Sequence, residues 1–408
     1  MRRPSGAGRA GRIRRAGGTA RRAAAAAAAA AVPALAAALL CAPPAGAELR
    51  IAGHGFGHGV GLAQWGAYGF AREQGRDHRW ILRHYYAGTT LRRMPGQRIR
   101  VVLKRAGSAK VCSAVRARDA HGRAVRLLPG RGYRAVPWRA DGLSFVDATT
   151  GRRRYRLYAP VRVTGGASTC LRGRAFNERS NRSYRGVLEL RRDGADVLVV
   201  NDVALRHYLY GVVPAEMPAS WPAAALRAQA VAARSYALGS LRPGAPWDVL
   251  PDQSAQVYGG VEEEQPRTQA AVRATDPLAL FYGGAVAVTY FSSSSGGRTA
   301  AVEEGFPGSE PLPYLRSVPD PFDRLSPHHD WSVRLTDRAA RRRLGDVLDG
   351  GLVSLRVVAR GPTGRALRVR VTGPEGADDV PAATIQARLG LRSAWFTIKE
   401  NPRRPTGR

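Results

Sequence analysis

The sequence predicts an α+β protein: one long helix packed on antiparallel sheet, with a β-rich segment inserted ahead of it. Three observations carry this. The alanine-dense run Trp221–Leu241 is opened by Ser220 and Pro222 and followed by Pro243, which are start and stop signals for a helix. The stretch from Arg98 to Val200 breaks into short alternating runs, such as Ile99–Leu103 and Tyr155–Tyr158, separated by glycine-rich turns. With 44% hydrophobic residues, 7 Trp, 14 Tyr and 9 Phe, the 408-residue chain has the bulk to fill a core. This composition excludes a polytopic membrane protein, a disulfide-dense mini-protein and a wholly disordered chain.

In chain order, residues 1–47 read as an export signal. Eight arginines and no acid lie between Arg2 and Arg22, an uncharged apolar run spans Ala23–Leu40, and small residues at Ala45 and Ala47 suit cleavage before Glu48. The alternative is an uncleaved anchor, against which Pro33 and the alanine-rich run argue. Residues 48–91 open with the glycine-rich loop Gly53–Gly61, followed by short helices around Leu62–Phe70 and Trp80–Tyr86. Residues 92–185 form the β-rich insertion. Residues 186–398 form the core: a buried strand at Val197–Asn201, the segment Tyr208–Pro218, the long helix, a polar loop through Asp252–Gly260, a helix near Gln265–Thr275 and a strand at Ala285–Phe291. A helix at 337–348 follows, then strands at Ser354–Val358 and Ala366–Val371 around a turn at Gly361–Gly364. Asp378–Leu391 reads as a connector and short helix, Trp395–Ile398 as a closing strand, and residues 399–408 as a tail.

The formal charge is +33, almost all from arginine, since only Lys104, Lys110 and Lys399 are lysines. Losing residues 1–47 removes eight of those charges and leaves +25. Such a surface favours polyanions. The arginines are spread along the chain without a recognition-helix, zinc-finger or RNP-like pattern, so nucleic acid is not the expected partner. Cleavage also removes Cys41, and the two remaining cysteines, Cys112 and Cys170, are expected to pair in an oxidising compartment.

Glu216 is the strongest candidate for chemistry. It is flanked by Pro214 and Pro218 in otherwise apolar surroundings, where a carboxyl holds its proton to higher pH and suits general acid work on a glycosidic oxygen. The plain alternative is an acid favoured by the N-terminal end of the following helix. No second carboxylate stands out as the partner that hydrolysing glycosidases need. His54 and His58 lie four apart, but the glycines between them argue for a loop and no third ligand is near, so no metal is expected there. His58 is a candidate hydrogen-bond donor to substrate or a structural histidine, and Gln64 reads a sugar hydroxyl or caps a turn. On the long helix Gln229 and Tyr236 share a face, while Arg234 lies close in angle to neither. Ser292–Ser295 has no nucleophile-elbow context and reads as a polar loop at a strand end.

These segments resemble the stage II sporulation protein D (SpoIID/LytB) family of exported peptidoglycan proteins. The matching stretches are Tyr208–Pro218 with Trp221–Leu238, Gln256–Gly260, Phe291–Thr299, Asp320–Asp323 with Ser326-Pro327, and Leu389–Ile398. Gly53–Ala67 is similar to the family's glycine-histidine-glutamine-tryptophan motif, which in many relatives falls toward the C-terminus. The resemblance implies a SpoIID-like core and a lytic transglycosylase acting on glycan strands stripped of stem peptides. Glu216 would be the sole acid/base and no cofactor would take part, with His58, Gln64, Gln229, Arg234, Tyr236, Gln256, Tyr258, Ser293 and Ser294 as substrate-binding residues. Some relatives hold zinc through His and Cys near the serine-rich loop, where this chain has Phe291-Ser292 and no cysteine. Other relatives are enhancers of a wall amidase, so the competing expectation is a non-catalytic wall-binding module with an amidase as partner. A third reading is an adhesin-like protein whose strand region binds anionic wall polymers. The expected location is secreted or wall-associated.

Overall fold

The computed structural model describes residues 48–128, 130–345 and 352–400. The expected export signal and residues 401–408 of the expected tail lie outside them. The described residues form a mixed α and β structure whose eight helices are α1 (Gln64–Glu73), α2 (His78–Tyr85), α3 (Leu205–Glu216), α4 (Ala223–Gly239), α5 (Pro266–Ala274), α6 (Val302–Gly305), α7 (Asp337–Leu344) and α8 (Ala382–Leu389). Among the described residues no helix is long and apolar enough to cross a membrane.

The alternating runs between 98 and 204 pair into one ten-stranded antiparallel sheet. Its spatial order is Arg98–Ala106, Asp196–Ala204, Val187–Asp193, Val161–Arg174, Ala109–Arg118, Tyr133–Trp138, Gly142–Asp147 and Arg153–Tyr158. Two short strands, Ala124–Arg126 and Ser180–Tyr184, pair with Ala109–Arg118 and Val161–Arg174. The expected boundary at 185/186 therefore falls inside a single sheet. Strand period explains its core: Ile99, Val101 and Leu103 on one strand and Val197, Val199 and Val203 on the next point to the same buried face. Cys112 and Cys170 sit opposite each other on neighbouring strands, Cα atoms 5.0 Å apart, and form a disulfide.

The long helix α4 divides two cores. Ala230, Ala233 and Ala237 pack toward the sheet, while Ala225, Leu226, Ala228, Val231 and Ala232 pack toward α1 and α2. A helix buried on most of its circumference needs small residues, and alanine supplies them at full helix propensity. It starts at Ala223 with Pro222 as its N-cap residue, so Ser220 does not cap it.

Three further elements differ from expectation. Leu205–Glu216 is helical although it contains Pro214, because proline in the last turn forfeits one backbone bond and the tertiary packing of Tyr208, Leu209, Val212 and Val213 outweighs that. The strand expected at Ala285–Phe291 is shifted: Leu278–Tyr282 forms the strand, pairing with Thr90–Arg93, and only Ala285–Val286 and Phe291–Ser292 of the expected run are extended in ladders. Ala377–Pro381, within the expected connector, pairs with Ala366–Thr372.

The third core lies under two small sheets. Strand Glu48–His54 runs between Asp330–Thr336 and Phe396–Glu400, antiparallel to both. Ile51, Trp331, Leu344, Ile385 and Phe396 fill the space between that sheet, α7, α8 and the three strands from Ser354 to Pro381.

Candidate functional site

The glycine-rich loop and the serine-rich loop zip together into one wall of a cleft. Phe56 and Ser294 exchange backbone hydrogen bonds of 2.8 and 3.1 Å, Trp65 N–H donates to the Ser293 carbonyl at 3.0 Å, and Leu62–Ala63 pairs in parallel with Phe291–Ser292. Gly57 shows why this loop needs glycine: its φ is +104° and a Cβ there would lie 2.8 Å from the Ser292 Cβ.

The serine loop is held from beneath by two fully buried carboxyls. Asp323 accepts from Ser294 Oγ, Ser295 N–H and Gly296 N–H, each at 2.8 Å, and contacts His329 Nδ1 at 3.0 Å. Asp320 accepts from Ser295 Oγ at 2.7 Å and Tyr85 Oη at 3.0 Å. Burial and the neighbouring Asp323 push the Asp320 carboxyl up to about 7. Arg365, almost fully buried, ties the C-terminal region to the same loop through the Ser295 and Arg298 carbonyls.

The opposite wall comes from α3, α4 and the 253–257 loop. Together they enclose a cleft of about 450 Å³ lined by Phe56, Gly57, His58, Gln64, Ala215, Glu216, Tyr236, Gln253, Ser254, Ala255, Val257, Tyr290, Phe291, Ser292, Ser293 and Phe306. The aromatic faces suit the apolar faces of sugar rings, and the amides and hydroxyls suit their edges. Among the described lining residues Glu216 is the only carboxyl.

Glu216 is the last residue of α3, at the helix end whose dipole disfavours a carboxylate, and stands ahead of Ala223, where α4 begins. Burial raises its pKa above the ordinary glutamate value, opposed by hydrogen bonds from Val257 N–H, 3.1 Å from Oε1, and from the Gln64 side chain. A half-buried carboxyl that keeps its proton longer than usual, facing a cleft, is equipped to donate it.

Of the residues marked from the sequence, the fold gathers His58, Gln64, Glu216, Tyr236 and Ser293 at the cleft. His58 is not free to donate: its Nδ1 accepts from Val60 N–H at 3.0 Å and its ring also bonds the Phe291 backbone. Burial lowers its pKa to about 4, so it is neutral and pins the glycine loop to the Phe291 strand.

Five others do not line the cleft. Arg234 lies about 200° around α4 from Tyr236. It donates to the carbonyls of Val272, Thr275 and Leu278 at 3.0–3.2 Å, closing the C-terminal end of α5. Gln256 bridges the Tyr208 hydroxyl and the Ala233 carbonyl, and Tyr258 donates to Asn201 Oδ1 at 2.9 Å. These two flank Val257 and hold its N–H against Glu216, which is positioning, not substrate contact. Ser294 is taken up by Asp323. Gln229 is fully buried and neither end of its amide makes a hydrogen bond; nothing in the structure explains it.

Among the cleft residues the sequence reading did not single out is Ser292. Its hydroxyl is buried, lines the cleft and makes no hydrogen bond among the described residues. In a run of four serines nothing distinguishes it, and only the ladder of Phe291–Ser292 with Leu62–Ala63 sets it beside Ser293 on the cleft wall. Among the described residues no group of three or more His, Cys, Asp or Glu is placed to hold a metal ion.

Comparison with known proteins places this site in context. Residues 193–282 match the model of the SpoIID family, described as stage II sporulation protein. That segment holds Glu216, Tyr236 and the 253–257 loop, and leaves out the glycine and serine loops. The chain is 30% identical to stage II sporulation protein D of Bacillus subtilis over 219 residues, 50% of this chain and 62% of that one. It is 40% identical over 129 residues to an amidase enhancer of the same organism, 31% of this chain and 17% of that one. It is also 40% identical over 125 residues to an uncharacterised protein of Brachyspira hyodysenteriae, 30% of this chain and 33% of that one. The chain thus spans less than two thirds of each of these relatives, and the SpoIID resemblance read from the sequence is borne out in its central segment.

Proposed function

From a chain whose residues 193–282 carry the SpoIID family's sequence, we propose an exported cell-wall protein that cleaves peptidoglycan glycan strands as a lytic transglycosylase, with Glu216 as acid and base. The observation that supports this best is the lone carboxyl in the cleft. Two-carboxylate hydrolysis needs a partner acid or base within about 5–9.5 Å, and among the described residues none lines the cleft beside Glu216. A single group suffices when the sugar's own hydroxyl attacks. Protonated Glu216 gives its proton to the glycosidic oxygen as the bond from the anomeric carbon to that oxygen breaks. The Glu216 carboxylate then takes the proton of the muramyl 6-hydroxyl as O6 bonds the anomeric carbon, which closes a 1,6-anhydro ring and restores the acid. No water or cofactor is consumed.

The cleft walls fit stem-free glycan as substrate: aromatic faces and neutral polar groups, with no cationic side chain among the described lining residues to pair with the carboxylates of a stem peptide. Mass spectrometry of amidase-treated, stem-free peptidoglycan incubated with the protein and with Glu216→Gln tests the proposal. Anhydro-muramyl products are expected from the wild type, declining toward basic pH as Glu216 loses its proton, and absent from the variant. The amidase-enhancer relative favours a second reading, a wall-binding module that stimulates an amidase. If neither protein releases products while both stimulate an added amidase equally, the second reading replaces the first.

A further inference from the structure

A second groove, about 490 Å³, lies at the opposite end of α3 and plays no part in the cleft. Its residues include Arg93, Arg98, Arg206 and Arg234, with Asp276 as its only carboxyl. α3 is twelve residues long, so the groove lies about 17 Å along the helix from Glu216.

The first turn of α3 is built against its own dipole. No side chain caps it, it holds no acid, and its second residue is Arg206. The Leu205 N–H is taken by the Gln97 carbonyl, but a helix's first turn has further N–H groups without intrahelical acceptors, and the positive end of the dipole repels a guanidinium. An acid is the usual solution, as Asp337 supplies at the start of α7.

The second observation is independent of the helix end. Arg234 is 1% exposed yet lines the groove, and although its Nη atoms bond carbonyls, its Nε makes no hydrogen bond. Asp276 answers the local charge poorly: its oxygens stand 3.8 Å from Arg234 Nε and 3.7 Å from Arg206 Nη1, both beyond hydrogen-bond length. Arg98 is engaged by Asp202, while Arg93 is exposed and has no partner among the described residues.

We propose that this groove binds a phosphate group, free or within a phosphodiester chain, between the N-terminal end of α3 and the side chains of Arg93 and Arg206, with the buried Arg234, whose Nη groups are held by carbonyls, adding positive charge from beneath. Guanidinium forks together with helix N–H groups match a tetrahedral oxyanion.

The test is a titration of the protein with sodium phosphate, and separately with a glycerol-phosphate oligomer, each against sodium chloride of equal ionic strength, read by melting temperature and by 31P line broadening. Wild type is expected to gain melting temperature from phosphate beyond the chloride control. Arg206→Glu and Arg93→Ala, both at exposed positions, are expected to bind at least tenfold more weakly, and Arg206→Glu to melt higher than wild type without phosphate. Arg338→Glu, the same charge change in the first turn of α7, is expected to leave binding unaltered. Response to the oligomer at lower phosphate concentration than to the free ion assigns the site to a polymer; response to the free ion alone assigns it to phosphate itself. No phosphate-specific shift, or equal weakening by Arg338→Glu, overturns the proposal.

Discussion

Replacing Asp320 by asparagine is expected to stabilise the protein at neutral and basic pH and to do little in acid. Asp320 keeps its proton in the fold up to about 7, against 3.8 in an unstructured chain. Below pH ~4 both states are protonated and the group contributes nothing. Between about 4 and 7 the unfolded chain releases a proton that the folded one retains. The unfolded state then binds fewer protons, stability falls as pH rises, and the loss above pH 7 is on the order of 4 kcal/mol. Asparagine is uncharged throughout and can still accept from Tyr85 while donating to the Ser295 hydroxyl, the two partners Asp320 has now. Urea unfolding followed by tryptophan fluorescence, at pH 4.5 to 8.5, measures both proteins. Their difference should be near zero at the acid end and grow to a few kcal/mol in favour of the variant. His58, whose pKa is lowered to about 4, bends each curve the opposite way, because the unfolded chain protonates it first as pH falls, but it is common to both proteins and cancels. A difference that is flat with pH, or that favours wild type at pH 8, would refute the claim that the staple under the serine loop is maintained against charge repulsion.

Ser292→Ala should leave stability unchanged or raise it by up to about 1 kcal/mol, since it deletes a buried hydroxyl that makes no hydrogen bond. If that hydroxyl meets the glycan, the same variant raises KM several-fold at constant kcat, measurable by product release at varied substrate. Paired Cys112→Ser and Cys170→Ser substitutions open a disulfide whose partners are 58 residues apart, for a loss of about 4 kcal/mol from chain entropy in urea unfolding.

The parts of this molecule governed by local pattern were readable in advance. Alternation marked the strands from 98 to 200, and alanine density with flanking prolines marked α4 to within two residues of both its ends. Glu216 stood out because proline and apolar neighbours isolate it, and a half-buried position at the cleft agrees with that environment. What escaped reading depends on contacts between distant segments. Arg234, Gln256 and Tyr258 look like substrate ligands in a string of letters, and only the path of the 253–278 chain around α4 shows them holding backbone instead. Asp320 and Asp323 lie 25 to 29 residues from the serines they hold, with no periodicity linking the two segments. The helix at Leu205–Glu216 was hidden by Pro214, which reads as a helix breaker and is carried here in the last turn at the loss of one backbone bond.

The strand Glu48–His54 carries one more implication. It is the middle of its sheet, with Glu48 opposite Thr336 and Arg50 opposite Glu400, so the two ends of the described chain meet on adjacent strands. Joining residue 400 to residue 48 by a short linker and opening the chain at the exposed turn near Thr149–Gly151 gives a circularly permuted protein that keeps every ladder and the whole cleft. In such a chain the glycine-histidine loop follows the Glu216 segment instead of preceding it. The order of those two motifs along a sequence is therefore no constraint on the site they build, and a cleft of this kind is open to evolution by rearranged chain order.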